Sequence, residues 1–173
     1  LGLAIAHLNF ASCWHLILVV ASFLLGAAIS GAITGSVYLA LGRRYGLVLL
    51  LEALCLVASA YLLAQGDESG QFFASAACGL QNAMATVYSG SSIRTTHVSG
   101  LFTDLGIMLG VRLRGHPIDT RKMTLYLLLI VGFVAGGVLG ALSYYAMQFM
   151  ALLFPAGMAL TLALLYEVFR HRL

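Results

Sequence analysis

Long apolar runs separated by short polar segments are the feature that most constrains how this chain can fold. Five runs stand out, at residues 14–41, 47–64, 71–89, 125–147 and 149–169. Each is long enough to cross a bilayer, which takes about 20 apolar residues in helical form. Only 9% of the 173 residues are charged and 61% are hydrophobic. Because a water-soluble domain needs far more polar surface, the sequence predicts an all-α integral membrane protein with about five transmembrane helices.

The charged residues between the runs predict which side each connection occupies. If the chain crosses the membrane at every run, Arg43 and Arg44 lie on one side, and Asp67 and Glu68 lie on the other. The long segment 90–124 and the C-terminus then return to the first side. All nine Lys and Arg residues lie on or near that face, which the positive-inside rule makes cytoplasmic. We therefore expect a multi-pass protein with a cytoplasmic C-terminus.

Several functional classes are excluded by what the sequence lacks. It has no dense basic tract of the nucleic-acid-binding type, so no nucleic-acid partner is expected. Cys13, Cys55 and Cys78 form no CxxC motif and have no histidine at metal-ligand spacing, so they are interpreted as packing residues rather than as a metal site. No HExxH, GxSxG or paired aspartates occur in the apolar runs. We expect neither an enzyme nor a cofactor.

A short apolar piece at residues 100–111 lies within the long segment and contains Asp104. Twelve helical residues rise only about 18 Å, which is less than the hydrocarbon thickness. This piece is either an interfacial amphipathic helix or a re-entrant half-helix, which is tolerated at depth where protein or a water cavity surrounds it.

An internal repeat favours the re-entrant interpretation. Residues 105–110 resemble residues 1–6, and residues 133–140 resemble residues 23–30. On the topology above, the two copies have opposite orientations. Inverted repeats with broken helices that meet at mid-membrane are typical of secondary transporters. We therefore divide the single domain 1–173 into a first repeat, 1–64, incomplete at its N-terminus, and a second repeat, 71–169, in a transporter-like bundle.

Four sequence motifs resemble those of a known family. The sequences GLQNA at 79–83, TTHVSG at 95–100, GRR at 42–44 and LEA at 51–53 are similar to the YoaK-like family, whose domain (DUF1275) has no known function. Its members are small proteins of the bacterial inner membrane with about six spans, and they carry an earlier Ser-His-x-Thr-Gly copy of the second motif. The resemblance implies an inner-membrane permease of unknown substrate. It also implies that the first helix and first motif copy precede Leu1.

The TTHVSG motif stands directly before the short apolar piece. Ser99 is the expected N-cap of that helix, and a helix start within the membrane would offer free N–H groups to an anion or a polar carbonyl. His97 adds either a switchable proton or a structural hydrogen bond. Arg94 is either a cytoplasmic anchor or a counter-charge, and Asp104 is either a dipole partner or an ion carrier. The candidate residues here are Arg94, Thr95, Thr96, His97, Ser99, Gly100 and Asp104.

Three polar residues lie inside the predicted spans. Glu52 lies about two turns inside its run, where a carboxyl group is costly and marks a functional site. The alternative is a snorkelling or neutral carboxyl group near the cytoplasmic interface. Gln81 and Asn82 lie at the middle of the third run, where amides either join helices or line a polar path. We expect Asn82, Glu52 and the TTHVSG motif to converge on one site.

Small residues recur at or near helical spacing in two of the runs. Such residues let helix backbones approach closely, so packing is the main interpretation and a homodimer interface is the alternative. The set is Gly26, Ser30, Gly31, Gly35, Gly132, Gly136 and Gly140.

Two functional hypotheses follow for this lipid-embedded chain. The first is a transporter or channel for a small polar or anionic solute, with its site at the broken helix. The second is a non-transporting subunit or scaffold that holds a partner through its glycine-rich helix faces.

Overall fold

The chain folds entirely into helices over the residues that the computed structural model describes, which are 10–35, 45–88 and 97–170. These parts contain six α-helices and one 3-10 helix, without any strand, which confirms the all-α prediction. The helices are α1 (Phe10–Thr34), α2 (Tyr45–Ala64), α3 (Gly70–Tyr88), α4 (Val98–Leu113), α5 (Thr120–Met147), the 3-10 helix Gln148–Leu152 and α6 (Leu153–Arg170).

Three helical stretches within these ranges are long and apolar enough to cross a membrane. They are α1, α2 and the continuous stretch 120–169, which contains α5, the 3-10 helix and α6. Helix α3 has 19 residues, but its glutamines and Asn82 make it more polar. These findings support a membrane protein, and the helix bounds follow the predicted runs closely except at the end of the first.

Helix α1 ends at Thr34, inside the predicted run 14–41, and residues 36–41 lie outside the described residues. Gly35 adopts a φ of 69°, and its N–H donates to the Gly31 carbonyl oxygen (2.8 Å). Glycine adopts this left-handed conformation at little cost, so it terminates helices readily. Gly35 therefore ends a helix here, which the packing interpretation did not anticipate.

Four helices, α1, α2, α3 and α6, form a bundle. Helix α3 packs against both α1 and α2, and α2 packs against α6. Leu56 of α2, Ala77 of α3 and Ala156 of α6 form its buried apolar cluster. At the start of α2, Tyr45 meets the Tyr166 ring edge-on, with centroids 5.9 Å apart. The start of α2 and the end of α6 therefore lie at the same end of the bundle, as the predicted topology requires.

Helices α4 and α5 form a separate antiparallel hairpin. Leu101 near the start of α4 is buried against Tyr126 and Ile130 of α5. Asp119 is the N-cap of α5, and its side chain accepts a hydrogen bond from the Lys122 backbone N–H (3.1 Å). Within the described residues, α4 contacts α5 alone, and α5 contacts only α4 and the 3-10 helix.

Candidate functional site

The contact between α1 and α3 is the tightest part of the bundle, and its residues pair in a regular register. His15 Nε2 donates to Gln71 Oε1 (3.0 Å), and the Ser75 hydroxyl donates to the Val19 carbonyl oxygen (2.7 Å). Each pair is 56 residues apart in sequence, and pairs with a constant offset indicate that the two helices run parallel. The sequence analysis did not single out His15, Gln71 or Ser75. The four-residue spacing of Gln71 and Ser75, which places both on one face of a helix, is a signal that could have identified these two.

Small residues allow this close approach. A Cβ atom added to Gly26 would collide with the carbonyl group of Ala76, and one added to Gly79 would collide with the carbonyl group of Phe23. Ser30, one turn after Gly26, is fully buried. Two of the small residues proposed for helix packing, Gly26 and Ser30, therefore lie buried on the inner face of α1, and Gly26 lies directly against α3.

The other proposed packing glycines have different surroundings. A Cβ atom added to Gly31, Gly132, Gly136 or Gly140 would meet nothing within 4 Å. Three of these glycines are on α5, where every side chain from residue 131 to residue 142 is exposed. The packing expected for the α5 glycines is therefore not made by any helix among the described residues.

Glu52 is buried inside the bundle rather than extended to an interface. The residue is only 5% exposed. Gln81 is exposed, and Asn82 is half-buried on α3. The Asn82 carbonyl oxygen accepts a hydrogen bond from the Thr86 hydroxyl (2.8 Å).

The start of α4 differs in detail from the sequence prediction. The N-cap is His97 rather than Ser99, and its side chain makes no capping hydrogen bond. The Ser99 carbonyl oxygen instead accepts a hydrogen bond from the Thr103 hydroxyl (3.0 Å). Gly100 is exposed and has open space where a Cβ atom would lie. Among the described residues, the His97 side chain therefore leaves the backbone N–H groups of the first turn of α4 uncapped. Arg94, Thr95 and Thr96 lie outside the described residues.

Asp104 lies on the α4–α5 hairpin, in a pocket of about 280 Å³. The pocket is also lined by Asp119, which precedes α5, and by Lys122 and Tyr126 of α5. The Lys122 ammonium group lies 5.5 Å from the centre of the Tyr126 ring. Asp104 and Lys122 therefore line the same pocket near the start of α5.

A groove of about 880 Å³ separates α5 from the bundle. One wall is the α5 face that carries Gly132, Gly136 and Gly140, and the other comes from α2, α3 and α6 through residues such as Leu63, Ala74 and Met158. The lining is mainly apolar, with Ser143 and Gln148 among its polar members. Below, "the α5 groove" means this space.

Comparison with known proteins assigns a family. The family model described as "Protein of unknown function (DUF1275)" matches residues 1–165. The chain belongs to the DUF1275 family. No curated protein and no solved structure matches this chain, so no relative supplies an activity.

The expected convergence of polar residues in this DUF1275 protein is not found where the structure describes it. Glu52 and Asn82 lie on α2 and α3, which pack together, whereas α4 packs on α5 alone. His97 and Gly100 therefore belong to a different part of the molecule from Glu52. Over the same residues, no group of three or more His, Cys, Asp or Glu side chains could hold a metal ion.

Proposed function

We propose that this DUF1275 protein is a small-solute transporter or channel of the bacterial inner membrane, with its C-terminus in the cytoplasm. The observation that carries the proposal is the contact between the start of α4 and α5, from which we infer the depth at which α4 begins. Leu101 packs against Ile130, which follows the charged Arg121 and Lys122 by about two turns of α5. At 1.5 Å per residue, Ile130 is about 12 Å beyond Lys122, near the middle of a hydrocarbon core of about 30 Å.

A helix that starts at this depth supports a re-entrant arrangement. Lys122 and Arg121 favour the membrane surface, while the α4 start packs against an apolar part of α5. Backbone N–H groups in the first turn of a helix have no intrahelical acceptor, and the helix dipole favours negative charge there. A solute with a carboxylate or another polar oxygen fits these donors better than a cation does.

The arrangement of helices also supports the inverted repeat. Residues 23–30 of α1 resemble residues 133–140 of α5, so α1–α2 corresponds to α5–α6. Gly46 of α2 lies against Glu167 of α6, and Leu56 lies against Ala156. These contacts make α2 and α6 antiparallel, as equivalent helices of oppositely oriented repeats must be.

Proteoliposomes made with the full-length natural protein test the transport proposal. We expect swelling in small organic anions or neutral polar solutes to exceed that of empty vesicles. The variant His97→Ala, at the start of α4, should abolish this flux and leave folding intact, whereas Thr161→Ala should leave the flux unchanged. Thr161 is a matched control because its exposed hydroxyl bonds only to its own helix, at Gly157 O (2.8 Å). Wild-type flux in His97→Ala would refute the site, and absence of flux in the wild type would refute the function.

Fluorescence quenching by lipids tests the depth of α4 separately. In a cysteine-free background, a fluorophore at Gly100→Cys should be quenched most by lipids brominated near mid-chain. A fluorophore at His116→Cys, in the exposed turn after α4, should respond most to a headgroup quencher. If both positions respond alike to the headgroup quencher, α4 lies on the surface and the main support for transport is lost.

The exposed glycine face of α5 favours a second candidate, a membrane subunit or scaffold that holds a partner helix. Gly136 corresponds to Gly26 in the repeat, and Gly26 packs directly against the α3 backbone. A partner with a small-residue face, including a second copy of this chain, would fit the α5 groove in the same way. In that case Gly136→Leu should break a co-purifying complex, and His97→Ala should leave that complex intact.

A further inference from the structure

Glu52 is a buried acid with an unusual lack of partners. It lies about 10 Å into α2, counted from Tyr45 at 1.5 Å per residue. Its Oε2 atom is inaccessible and makes no hydrogen bond to any described residue. Most buried polar atoms in proteins have such a partner, so packing alone does not account for this carboxyl group.

The described side chains near Glu52 offer no compensating charge. One turn away on either side, Val48 and Leu56 are buried on the same helix. Among the described residues, the thiols of Cys55 on α2 and Cys78 on α3 interact electrostatically with Glu52. Neither thiol can supply a positive charge.

The other elements packed against α2 place their titratable groups elsewhere. On α6, Tyr166 and Glu167 lie against Tyr45 and Gly46, about two turns before Glu52. The 3-10 helix QFMAL has no titratable residue. On α1, His15 lies beside Gln71, near the start of α3. Among these described neighbours no cation faces the carboxyl group.

An isolated carboxylate in an apolar interior costs many kcal/mol, so such a group takes up a proton instead. We propose that Glu52 is a proton-binding site, and that its proton is the coupling ion for the solute transport proposed above. The carboxyl group is neutral in the closed bundle that the structure describes. It releases its proton to water only when the contact between α2 and α3 opens, so protonation and helix packing favour each other.

Infrared spectroscopy tests the protonation independently of transport. At neutral pH, the difference spectrum between wild type and Glu52→Gln should contain the C=O stretch of a protonated carboxylic acid. Glutamine keeps the shape and neutrality of the protonated acid, so the variant is expected to fold. The control is Glu68→Gln, since Glu68 is exposed in the α2–α3 turn and should contribute a carboxylate band instead. A carboxylate band from Glu52 would overturn the proposal.

Transport measurements then test coupling. With a pH gradient across the proteoliposome membrane, wild type and Glu68→Gln should accumulate solute, and Glu52→Gln should lose all gradient-driven accumulation. Equal accumulation in Glu52→Gln would overturn the coupling role. If the protonated-acid band is present but the wild type moves no solute, the transport function fails while the proton site stands.

Discussion

Helices α1 and α5 carry similar small-residue stripes, but their surroundings differ completely. On α1, Gly26 and Ser30 are buried, and Gly26 lies directly against α3. On α5, the corresponding Gly136 and Gly140 face the α5 groove, with nothing within 4 Å of an added Cβ atom. Small residues at helical spacing therefore permit a close contact but do not create one.

The partner helix makes the difference between these two regions. Helix α3 presents Ala76 and Gly79 to α1, and it adds polar contacts from Gln71 and Ser75 at the same register. In membranes, helices associate through such close packing and through hydrogen bonds, because apolar side chains gain little by leaving lipid. No described helix offers α5 a comparable face.

The substitution Gly26→Leu should have the largest effect and gives the sharpest test of this comparison. Its side chain would force the α1 and α3 backbones apart, so we expect a loss of about 3 kcal/mol or more in the free energy of unfolding. The matched variant Gly136→Leu should change it by less than about 1 kcal/mol, since its Cβ atom enters open space.

Thermal unfolding in detergent, followed by circular dichroism, measures both glycine variants. If the two variants have equally lowered midpoints, the α5 glycines are packed in the folded protein and the comparison fails. If Gly136→Leu alone dissociates a complex, the α5 groove is a helix-binding surface.

A smaller effect is expected for Ser75→Ala. This change removes the hydrogen bond to the Val19 carbonyl oxygen, and interhelical hydrogen bonds in membranes contribute about 0.6 kcal/mol on average. Thr124→Ala on α5 is the control, because the Thr124 hydroxyl bonds only within its helix, to Thr120 O (2.9 Å). A lowered unfolding midpoint in Ser75→Ala but not in Thr124→Ala would support the polar α1–α3 register. The opposite order would contradict it.

A substitution of Asp67, in the turn that joins α2 to α3, should have the smallest effect on stability. The Ser69 backbone N–H donates to Asp67 Oδ1 (2.8 Å), and this bond lowers the pKa of Asp67. The ionised carboxylate therefore stabilises the turn above the pKa of the unfolded chain, and this stabilisation is lost as the pH falls through the lower pKa of the folded state.

Asp67→Asn should accordingly lower the unfolding midpoint slightly at neutral pH, and its difference from wild type should shrink in acid. Glu68→Gln, one residue later, should behave as wild type throughout the pH range. A difference for Asp67→Asn that persists unchanged at low pH would show that charge is not the cause.

The helices themselves could be predicted well from the sequence, because apolar runs and the short polar segments between them are local signals. Helix α2 was expected over residues 47–64 and spans Tyr45–Ala64, with Gly66 at φ 81° just beyond its end. The start of α4 was less certain, since the polar TTHVSG segment offers several capping side chains. The structure uses His97 as the N-cap without a side-chain bond.

The same reasoning could not predict which helices contact one another. Residues 23–30 and 133–140 look alike in sequence, yet only the first segment meets a partner helix. Likewise, Glu52 was recognised as costly, but its burial and the absence of a cation among its described neighbours follow from the packing of α2. Such properties depend on which helices become neighbours, and one sequence does not contain that information in local form.

The backbone turns sharply at Gln148, whose φ is 53° and ψ is −136°, so α5 would act as a lever if it moved about this residue. With 28 residues, this helix is about 42 Å long, and the 3-10 helix after Gln148 is held against α2. A rotation of about 10° about Gln148 would move the far end of α5 by about 7 Å, given that length. Because α4 is attached to α5, such a swing would carry the whole hairpin with it and change the width of the α5 groove in one step.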